Sequence, residues 1–299
     1  MHQHRLGVSD MRVSVIVPHY DDLRGLDICL CALGKQTFSK TDFETIVADN
    51  GSPQGLQEVE RIVAGRALLI NIAEKGAGPA RNGGAAASNG EVLAFLDSDC
   101  VPEPQWIAEG VAALARHDVV GGSVNVFASD PDKLTAPEAF ECIFAFNNEN
   151  YLRRKGFVVS ANLFCRKVVF DRVGGFATGV SEDVDWCHRA SAQGLRIGFA
   201  PKAAVGHPAR RSWIELKRKW SRINSQTYVL KLRKRRGRLY WILSCFLLPI
   251  SALVHTPRVL MSQKLSGRQK IAALVILYRI RFWRTWDYCR LLMLGPSLA

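Results

Sequence analysis

Cysteine pairs of the C-x-x-C type are absent from this sequence, although it contains eight cysteines among its 299 residues. That spacing is typical of redox centres and of many zinc sites, so the usual signature of both is missing. Several cysteines lie inside apolar runs, and we expect small buried residues with free thiols, which suits a reducing compartment. The first residues contain no apolar stretch of the kind found in secretory signals, so no such signal is expected.

Signatures of nucleotide and nucleic-acid binding are also missing. The glycine-rich stretch 76–84 lacks the G-K-[ST] ending of a P-loop, and no G-x-G-x-x-G follows the first predicted strand. No recognised nucleic-acid-binding motif occurs along the chain. Stretch 76–84 is nevertheless able to hold a phosphate through backbone N–H groups at a helix start, with the guanidinium of Arg81 beside it. The alternative for Arg81 is a solvated charge on a helix face.

Acidic residues are scarce in the last third of the chain. Residues 208–299 include 20 Lys and Arg but only 2 Asp and Glu, whereas the residues before them include 20 and 25. Such asymmetry indicates contact with a polyanionic surface, either anionic lipid or nucleic acid. With 48% apolar residues, the chain has enough material for one large α/β domain or one domain with an appendage.

Short apolar runs alternate with helical patterns along the first two thirds. Val92–Leu96 is a continuous apolar run, which is typical of a strand buried on both faces of a mostly parallel sheet. Further strands are predicted at 13–17, 45–48, 67–70, 119–127, 158–164 and 195–200, and helices at 23–33, 54–64, 79–88 and 166–173. The alternation predicts βαβ crossovers and therefore an α/β fold.

Acidic side chains follow the predicted strands. Asp21 and Asp22 come after the first strand, Asp49 after the second, and Asp97-Ser98-Asp99 directly after Val92–Leu96. Because parallel strands end at the same edge of a sheet, we expect these carboxylates to converge on one crevice. Two carboxylates one residue apart suit a divalent cation bound to a substrate diphosphate. The other interpretation of Asp97 and Asp99 is a polar turn that caps the next helix.

A further acidic pair and a histidine occur near the end of this region. Glu182 and Asp183 follow Ser181, which is a plausible helix N-cap, and acidic residues in a first helical turn are favoured by the helix dipole. The functional interpretation makes one of these carboxylates a general base at the mouth of the crevice. His207 is either a structural hydrogen-bonding residue or a metal ligand.

These stretches together resemble the family 2 glycosyltransferases, which have the GT-A fold. The matching pieces, in order, are residues 15–21, 46–52, 78–82, 95–99, 174–176 and 182–186. The resemblance covers about residues 12–210, and it implies a Rossmann-like, mixed and mostly parallel sheet flanked by helices. It also implies a metal-dependent enzyme that moves one sugar from a nucleotide-diphosphate sugar to a hydroxyl of a glycan or lipid-linked acceptor, with inversion.

The resemblance assigns roles residue by residue. It implies donor contacts for Pro18, Tyr20, Asp21, Asp22, Asp49, Arg81, Asp97 and Ser98, Mn²⁺ or Mg²⁺ ligands among Asp97, Asp99 and His207, and the acceptor-activating base for Asp183 or Glu182. Asn50 stands where many members have a second Asp, and Asp22 is an alternative to Asp21 as the base contact. Processive members carry Q-x-x-R-W, of which stretch 216–220 keeps only Trp220. This departure favours transfer of a single sugar.

The basic last third has the pattern of a membrane-surface element. Trp213, Leu216 and Trp220 recur at helical spacing among Lys and Arg residues, as in a basic amphipathic helix. Residues 239–254 are almost wholly apolar, but about 24 Å of helix falls short of a hydrocarbon core of about 30 Å. Region 211–299 is therefore predicted to be helical and embedded in one leaflet, with its Lys and Arg on anionic headgroups at the cytoplasmic face of the cell membrane. A full span of 239–261 would place the charged side chain of Arg258 within the membrane, where a charge is costly.

Other interpretations of region 211–299 remain open. It could form a buried helical subdomain or the interface of a homo-oligomer. A second hypothesis for the whole chain is a protein that binds nucleic acid or another anionic surface through this region, beside a catalytically silent nucleotide-sugar-binding domain. Long aliphatic runs within the basic region argue against nucleic acid as the partner.

Overall fold

The structure is a computed structural model, and it describes residues 12–128, 130–233 and 235–296. The chain divides into two compact units. The N-terminal unit contains the residues up to Asn125, Asn147–Thr178 and Glu182–His207, and the C-terminal unit contains Val126–Phe146, Gly179–Ser181 and the residues from Pro208 onward. Segment 126–146 thus groups with the C-terminal helices, although it lies within the predicted domain 12–210.

The described residues form strands and helices that alternate along the chain. The strands are β1 Val13–His19, β2 Phe43–Asp49, β3 Leu68–Asn71, β4 Val92–Leu96, β5 Val101–Pro102, β6 Val119–Phe127, β7 Asn162–Arg166 and β8 Ile197–Pro208. The helices are α1 Leu23–Leu33, α2 Leu56–Val63, α3 Ala77–Ala87, α4 Trp106–Ala113, α5 Ala136–Phe144, α6 Asn148–Lys155, α7 Lys167–Val173, α8 Glu182–Ala192, α9 Trp213–Leu232, α10 Gly237–Leu260 and α11 Gly267–Leu294. A short 3₁₀ helix covers Pro131–Lys133.

The strands form one mixed sheet in the order β3-β2-β1-β4-β7-β6-β8-β5. Strands β3, β2, β1 and β4 run parallel to one another, and β7 is antiparallel to both β4 and β6. Every residue of β1 and β4 is buried, as a sheet covered on both faces requires. The predicted α/β fold with a mixed, mostly parallel sheet and flanking helices is confirmed.

The parallel strands bring their carboxyl ends to one edge, as the sequence predicts. His19 is the last residue of β1 and pairs in register with Asp49, the last residue of β2. Val13 at the start of β1 lies opposite Val92 at the start of β4, so the turn after β4 lies at the same edge. The residues that follow β1, β2 and β4 therefore line one border of the sheet.

Two predicted elements differ from the structure. The strand expected at 158–164 begins only at Asn162, because the N–H of Val159 donates to the side chain of Asn148 and the N–H of Asn162 donates to the carbonyl of Val159. These backbone groups are therefore engaged outside the sheet. The strand expected at 195–200 is β8, which begins at Ile197 and continues to Pro208. Helix α11 begins with a capping box between Ser266 and Gln269.

The C-terminal unit packs α5 and the helices α9, α10 and α11 around its own core. Phe140 of α5, Leu216 of α9, Ala252 of α10 and Leu277 of α11 are among the residues of this core. The carboxylate of Glu141 is buried and pairs with Arg210 and Lys219, which ties α5 to the start of α9. Among the described residues, α10 is the one helix long and apolar enough to cross a membrane, and 17% of its most apolar stretch is buried in the protein.

Candidate active site

Arg81 lies at the centre of a charged cluster at the carboxyl edge of the sheet. It is only 3% exposed, yet its Nη2 donates to Oδ1 of Asp97 at 2.5 Å and its Nη1 donates to Oε1 of Glu182 at 3.1 Å. Burial lowers the pKa of this guanidinium, but the carboxylates of Asp97 and Glu182 outweigh burial and raise it. Arg81 is therefore a fixed cation that joins the turn after β4 to the start of α8, and the alternative of a solvated charge is wrong.

The small residues of α3 explain why an arginine can lie this deep. A Cβ placed on Gly84 would come within 2.4 Å of Ile16 in β1, and one on Gly83 within 2.2 Å of Ile72. These glycines let the helix lie directly against the sheet. Arg81 is on the same helix, so its side chain reaches Asp97 and Glu182 while it remains buried.

Asn82, the next residue of α3, is joined to the loop that precedes α8. Its Nδ2 donates to the carbonyl of Phe176 at 2.9 Å, and its Oδ1 accepts from the N–H of Phe176 at 2.8 Å. Gly175 is required beside this pair, because a Cβ there would lie 2.8 Å from Oδ1 of Asn82. Trp186 of α8 donates from Nε1 to the carbonyl of Gly174 and fixes the same loop from the other side.

Asp183 lies in the first turn of α8 beside Glu182. Burial and the neighbouring charge of Glu182 raise its pKa to about 7, although the N–H of Val184 and the charge of Arg81 act in the opposite direction. The Val184 N–H donates to Oδ1 of Asp183 at 2.8 Å. A carboxylate with a pKa near 7 is poised to accept a proton at neutral pH, which is the property that a general base needs.

Asp99 and His207 come together at the same edge. The Oδ2 atom of Asp99 lies 3.3 Å from Nε2 of His207, and His207 is buried whereas Asp99 is about one third exposed. Their approach follows from the pairing of β5 with β8, in which Val101 lies opposite Gly206. Sequence reasoning named both residues but did not predict β5, which is only two residues long and contains a proline.

These two side chains fit a divalent cation as a partial ligand set. A carboxylate oxygen and an imidazole nitrogen both bind Mn²⁺, and Mg²⁺ commonly uses one or two carboxylates with substrate phosphates and water. Nowhere in the described ranges do three His, Cys, Asp or Glu residues form a group that could hold a metal ion. Asp97 is turned toward Arg81, so a metal at this edge would draw its further ligands from substrate oxygens and water.

Asp49 is buried under the turn that follows β2. It is 1% exposed, and its Oδ1 accepts from Ser52 Oγ at 2.5 Å and lies 2.9 Å from His19 Nδ1. Its Oδ2 accepts from the backbone N–H groups of Gly51 and Ser52. These contacts hold the pKa of Asp49 below its usual range despite burial. In this structure the carboxylate therefore organises the turn 49–52.

The segment after β1 is held against the same turn. Asp21 has a left-handed backbone with φ of 58°, which is strained for a residue other than glycine. Its N–H donates to Ser52 Oγ, and its side chain accepts from Gln54. Asp22 caps α1 by accepting from the N–H of Gly25 at 2.9 Å, Pro18 is buried within β1, and Ser98 lies in the turn between Asp97 and Asp99.

Asn50 and Lys75 were not assigned roles in the site by sequence reasoning. The side chain of Asn50 donates to the carbonyls of Ile72 and Glu74 and accepts from the N–H of Gly76, so it fixes the loop that leads into α3. Lys75 donates to the carbonyl of Asn50, and its ammonium lies 5.7 Å from the ring centroid of the exposed Tyr20. No sequence motif marks Lys75, because its position depends on a loop conformation.

Comparisons with known proteins identify the family to which the chain belongs. Residues 14–177 match the profile of the family described as Glycosyl transferase family 2. The chain is 34% identical over 249 residues to glycosyltransferase AglE of Haloferax volcanii, covering 79% of this chain and 81% of that protein. It is 32% identical over 151 residues to validoxylamine A glucosyltransferase of Streptomyces hygroscopicus, covering 48% of this chain but 35% of that protein.

A solved structure shares the fold. The chain resembles the mannosyltransferase PcManGT from Pyrobaculum calidifontis, solved in complex with GDP-Man and Mn²⁺, with a TM-score of 0.59 and 18% identity. The match covers 96% of this chain and 86% of that one.

Proposed function

Because the chain belongs to glycosyl transferase family 2 and is a glycosyltransferase, we propose that it moves one sugar from a nucleotide-diphosphate sugar to a hydroxyl of a glycan or lipid-linked acceptor. The proposal includes inversion at the anomeric carbon and a divalent metal. The observation that carries it is the contact of Arg81 with both Asp97 and Glu182, with Asp183 in the next position. This arrangement joins a cation suited to a diphosphate to a carboxylate suited to proton removal.

The donor would lie along the carboxyl edge of β1, β2 and β4. Tyr20 is exposed and offers a ring for the nucleotide base, and the strained Asp21 is held in place beside it. This end of the site would be formed by the turn that Asp49 organises, by the start of α1 at Asp22 and by the buried Pro18. Asp97, Ser98 and Arg81 would contact the ribose and diphosphate, since a guanidinium matches the geometry of phosphate oxygens.

Asp99 and His207 would hold Mn²⁺ or Mg²⁺ together with the donor diphosphate, and Asp97 would face the same ion. The bound ion would supply neutralisation of the charge that develops on the leaving nucleoside diphosphate. PcManGT was solved with Mn²⁺, and the 3.3 Å approach of Asp99 to His207 supports the same requirement here. Arg81 adds a fixed positive charge on the same side.

Asp183 would remove the proton from the acceptor hydroxyl as that oxygen attacks the anomeric carbon. The new bond forms opposite the bond to the leaving diphosphate, so one displacement inverts the configuration and no nucleophilic side chain is required. Glu182 is engaged by Arg81, which favours Asp183 over Glu182 as the base. The raised pKa of Asp183, to about 7, suits this role at neutral pH.

The C-terminal unit would bring the enzyme to an anionic membrane surface on the cytoplasmic side. Helix α10 exposes large apolar side chains along one face, namely Phe246, Leu247, Ile250, Leu253 and Val254. Arg235, Arg236 and Arg238 are exposed at its start. An apolar face beside clustered arginines is the composition of an interfacial helix on anionic lipid. Residues 12–210 would thus carry the reaction and residues 211–299 the membrane contact.

A panel of nucleotide-sugars screened by thermal shift, with and without Mn²⁺, tests the proposed reaction. One donor is expected to raise the melting temperature in a metal-dependent manner, because it binds only the folded state. In Asp99→Ala the metal-dependent shift is expected to disappear. Retention of the full, metal-dependent shift in Asp99→Ala would refute the assignment of this site. The donor found in this way then enters acceptor assays with the intact chain.

A further inference from the structure

Two arginines of α11 lie close together in the C-terminal unit, and neither is among the residues assigned to sugar transfer. Arg281 and Arg284 are one helical turn apart, and the ring of Trp220 on α9 faces Arg284. We call these three residues the Arg281–Arg284–Trp220 cluster. Like charges placed together inside a protein are costly unless an anion or hydrogen bonds compensate them.

Arg284 is held rigidly in this cluster. Its Nε donates to Oδ1 of Asn224 at 3.1 Å, and its Nη2 donates to the hydroxyl of Tyr288 at 3.0 Å. Its Cζ lies 3.9 Å from the ring centroid of Trp220, a cation–π stack. All of these partners are uncharged, so the positive charge of Arg284 is positioned but not neutralised by them.

Arg281 and Trp220 have donors that remain unused. The buried Nε of Arg281 and the buried Nε1 of Trp220 have no hydrogen-bond partner among the described residues. Burial and the proximity of Arg284 lower the pKa of Arg281 to about 10. Arginine and the tryptophan indole carry donors and no acceptors, so only an acceptor can satisfy this cluster.

The charge of Asp287 acts on Arg284, and both side chains bond to Asn224, but the two do not form an ion pair. Asp287 accepts from Asn224 through Oδ2, and its Oδ1 pairs with Arg290 at 2.9 Å. Glu141 pairs with Arg210 and Lys219. Within the part of the chain that the structure describes, no carboxylate forms an ion pair with Arg281 or Arg284.

We propose that the Arg281–Arg284–Trp220 cluster is a binding site for a phosphate group, as a monoester or a diphosphate. Such a group presents several acceptor oxygens and no obligatory donor, and its geometry matches a guanidinium. Arg281 and Trp220 are each partly exposed, so the cluster borders solvent, although its two unpartnered nitrogens are themselves enclosed. A soluble compound and a lipid headgroup both supply such a phosphate. The site is separate from the proposed sugar transfer, and only its lipid source depends on the proposed membrane contact.

Pyrophosphate and inorganic phosphate, added in EDTA to the intact chain, test the site by thermal shift. EDTA removes the metal that the proposed donor site requires, so diphosphate binding there does not contribute. Arg281→Gln removes one charge, and Trp220→Phe removes only the indole N–H while leaving an aromatic ring for Arg284. Each variant is expected to weaken pyrophosphate binding about tenfold, the loss that follows from one charge-assisted hydrogen bond.

Arg279→Gln is the matched control. Arg279 is an exposed arginine of the same helix that stacks 4.1 Å over Trp213, so the control loses the same charge outside the cluster. It is expected to keep pyrophosphate binding. Equal weakening in Arg279→Gln and Arg281→Gln would show diffuse attraction to a basic surface and overturn the proposal, as would the absence of any shift in the unmodified chain.

Vesicles then identify the source of the phosphate. Phosphatidylcholine vesicles containing phosphatidic acid are compared with vesicles of equal charge containing phosphatidylserine, which has no phosphate monoester. A preference for phosphatidic acid that is lost in Arg281→Gln and Trp220→Phe would assign the site to a lipid headgroup. Pyrophosphate binding that depends on Arg281 without such a preference would support the site and assign it to a soluble phosphate compound.

Discussion

The carboxylate of Asp99 lies 3.3 Å from Nε2 of His207, although the two residues are far apart in sequence. The pairing of β5 with β8 creates this approach, and it places an oxygen and a nitrogen ligand at the edge where β1, β2 and β4 end. A ligand pair built on backbone pairing is held with less freedom than one built on loops alone.

Removal of the imidazole should weaken the binding of the metal without abolishing the fold. In His207→Ala, the Mn²⁺ concentration for half-maximal activity is expected to rise at least about tenfold, since loss of supporting contacts alone costs that much at metal sites. Titration of activity against Mn²⁺ measures the change. His188→Ala is the control, because His188 is exposed and bonds the carbonyl of Lys155 at 2.8 Å. An unchanged Mn²⁺ requirement in His207→Ala would remove His207 from the ligand set.

The activity should increase as pH rises through about 7. Burial and the charge of Glu182 raise the pKa of Asp183 to about 7, and a general base works only when it is deprotonated. The pH profile of kcat/KM is therefore expected to have an acidic limb near that value. Glu182→Gln removes the neighbouring charge and should move this limb to lower pH, whereas Asp183→Asn should reduce kcat/KM by roughly 10²–10⁴-fold. A larger loss in Glu182→Gln than in Asp183→Asn would make Glu182 the base.

The same residue should limit stability at high pH. Asp183 binds its proton more tightly in the folded chain than in the unfolded chain, so the free energy of unfolding falls as pH rises from about 4 to about 7. Asp183→Asn removes this dependence and is expected to have the higher melting temperature at pH 8, with a smaller difference at pH 5. Asp171→Asn changes an exposed carboxylate and serves as the control. A lower melting temperature for Asp183→Asn at pH 8 would contradict the raised pKa.

Replacement of Arg81 should affect both stability and donor binding. Arg81→Met leaves the carboxylates of Asp97 and Glu182 without their cation, and the free energy of unfolding is expected to fall by about 3 kcal/mol. Urea denaturation measures that loss. Arg81→Lys keeps the charge but cannot reach both carboxylates at once, so it should preserve more stability than Arg81→Met while raising KM for the donor. Equal KM values for Arg81→Lys and the unmodified enzyme would exclude a donor contact.

An acidic residue on the exposed face of α10 should release the chain from membranes. Phe246 is 70% exposed, so Phe246→Glu is expected to fold normally and to lower co-sedimentation with anionic vesicles. Val168→Glu is the matched control, because Val168 is 71% exposed on α7 of the N-terminal unit. Similar vesicle binding by both variants would argue against contact through α10.

Much of the sheet was predictable because its strands are short apolar runs that end in acidic turns. The strands Val92–Leu96 and Val119–Phe127 have the predicted bounds, and the carboxyl ends of β1, β2 and β4 meet as expected. The start of β7 was not predictable, since the side chain of Asn148 takes up a backbone group of the apolar run 157–159. A tertiary hydrogen bond thus overrode a local preference.

The roles of individual residues were harder to predict from the sequence than the strands and helices. The sequence left Arg81 between a donor contact and a solvated charge, because nothing local reports that Gly83 and Gly84 bring α3 against the sheet. Asp22 was predicted as an alternative to Asp21 for the contact with the nucleotide base, and in the structure it caps α1. Ser52, Gln54 and Lys75 make contacts around the turn 49–52. Sequence does not show these contacts, because the conformation of the turn depends on the buried carboxylate of Asp49 and on Asn50.

The double hydrogen bond between the side chain of Asn82 and the backbone of Phe176 has a consequence for substrate binding. Arg81 precedes Asn82, and the Phe176 loop leads to the helix that carries Glu182 and Asp183. The group proposed to hold the leaving diphosphate and the group proposed to activate the acceptor are therefore positioned together when the chain folds. Substrate binding therefore does not have to bring these groups together. The binding free energy can instead stabilise the transition state.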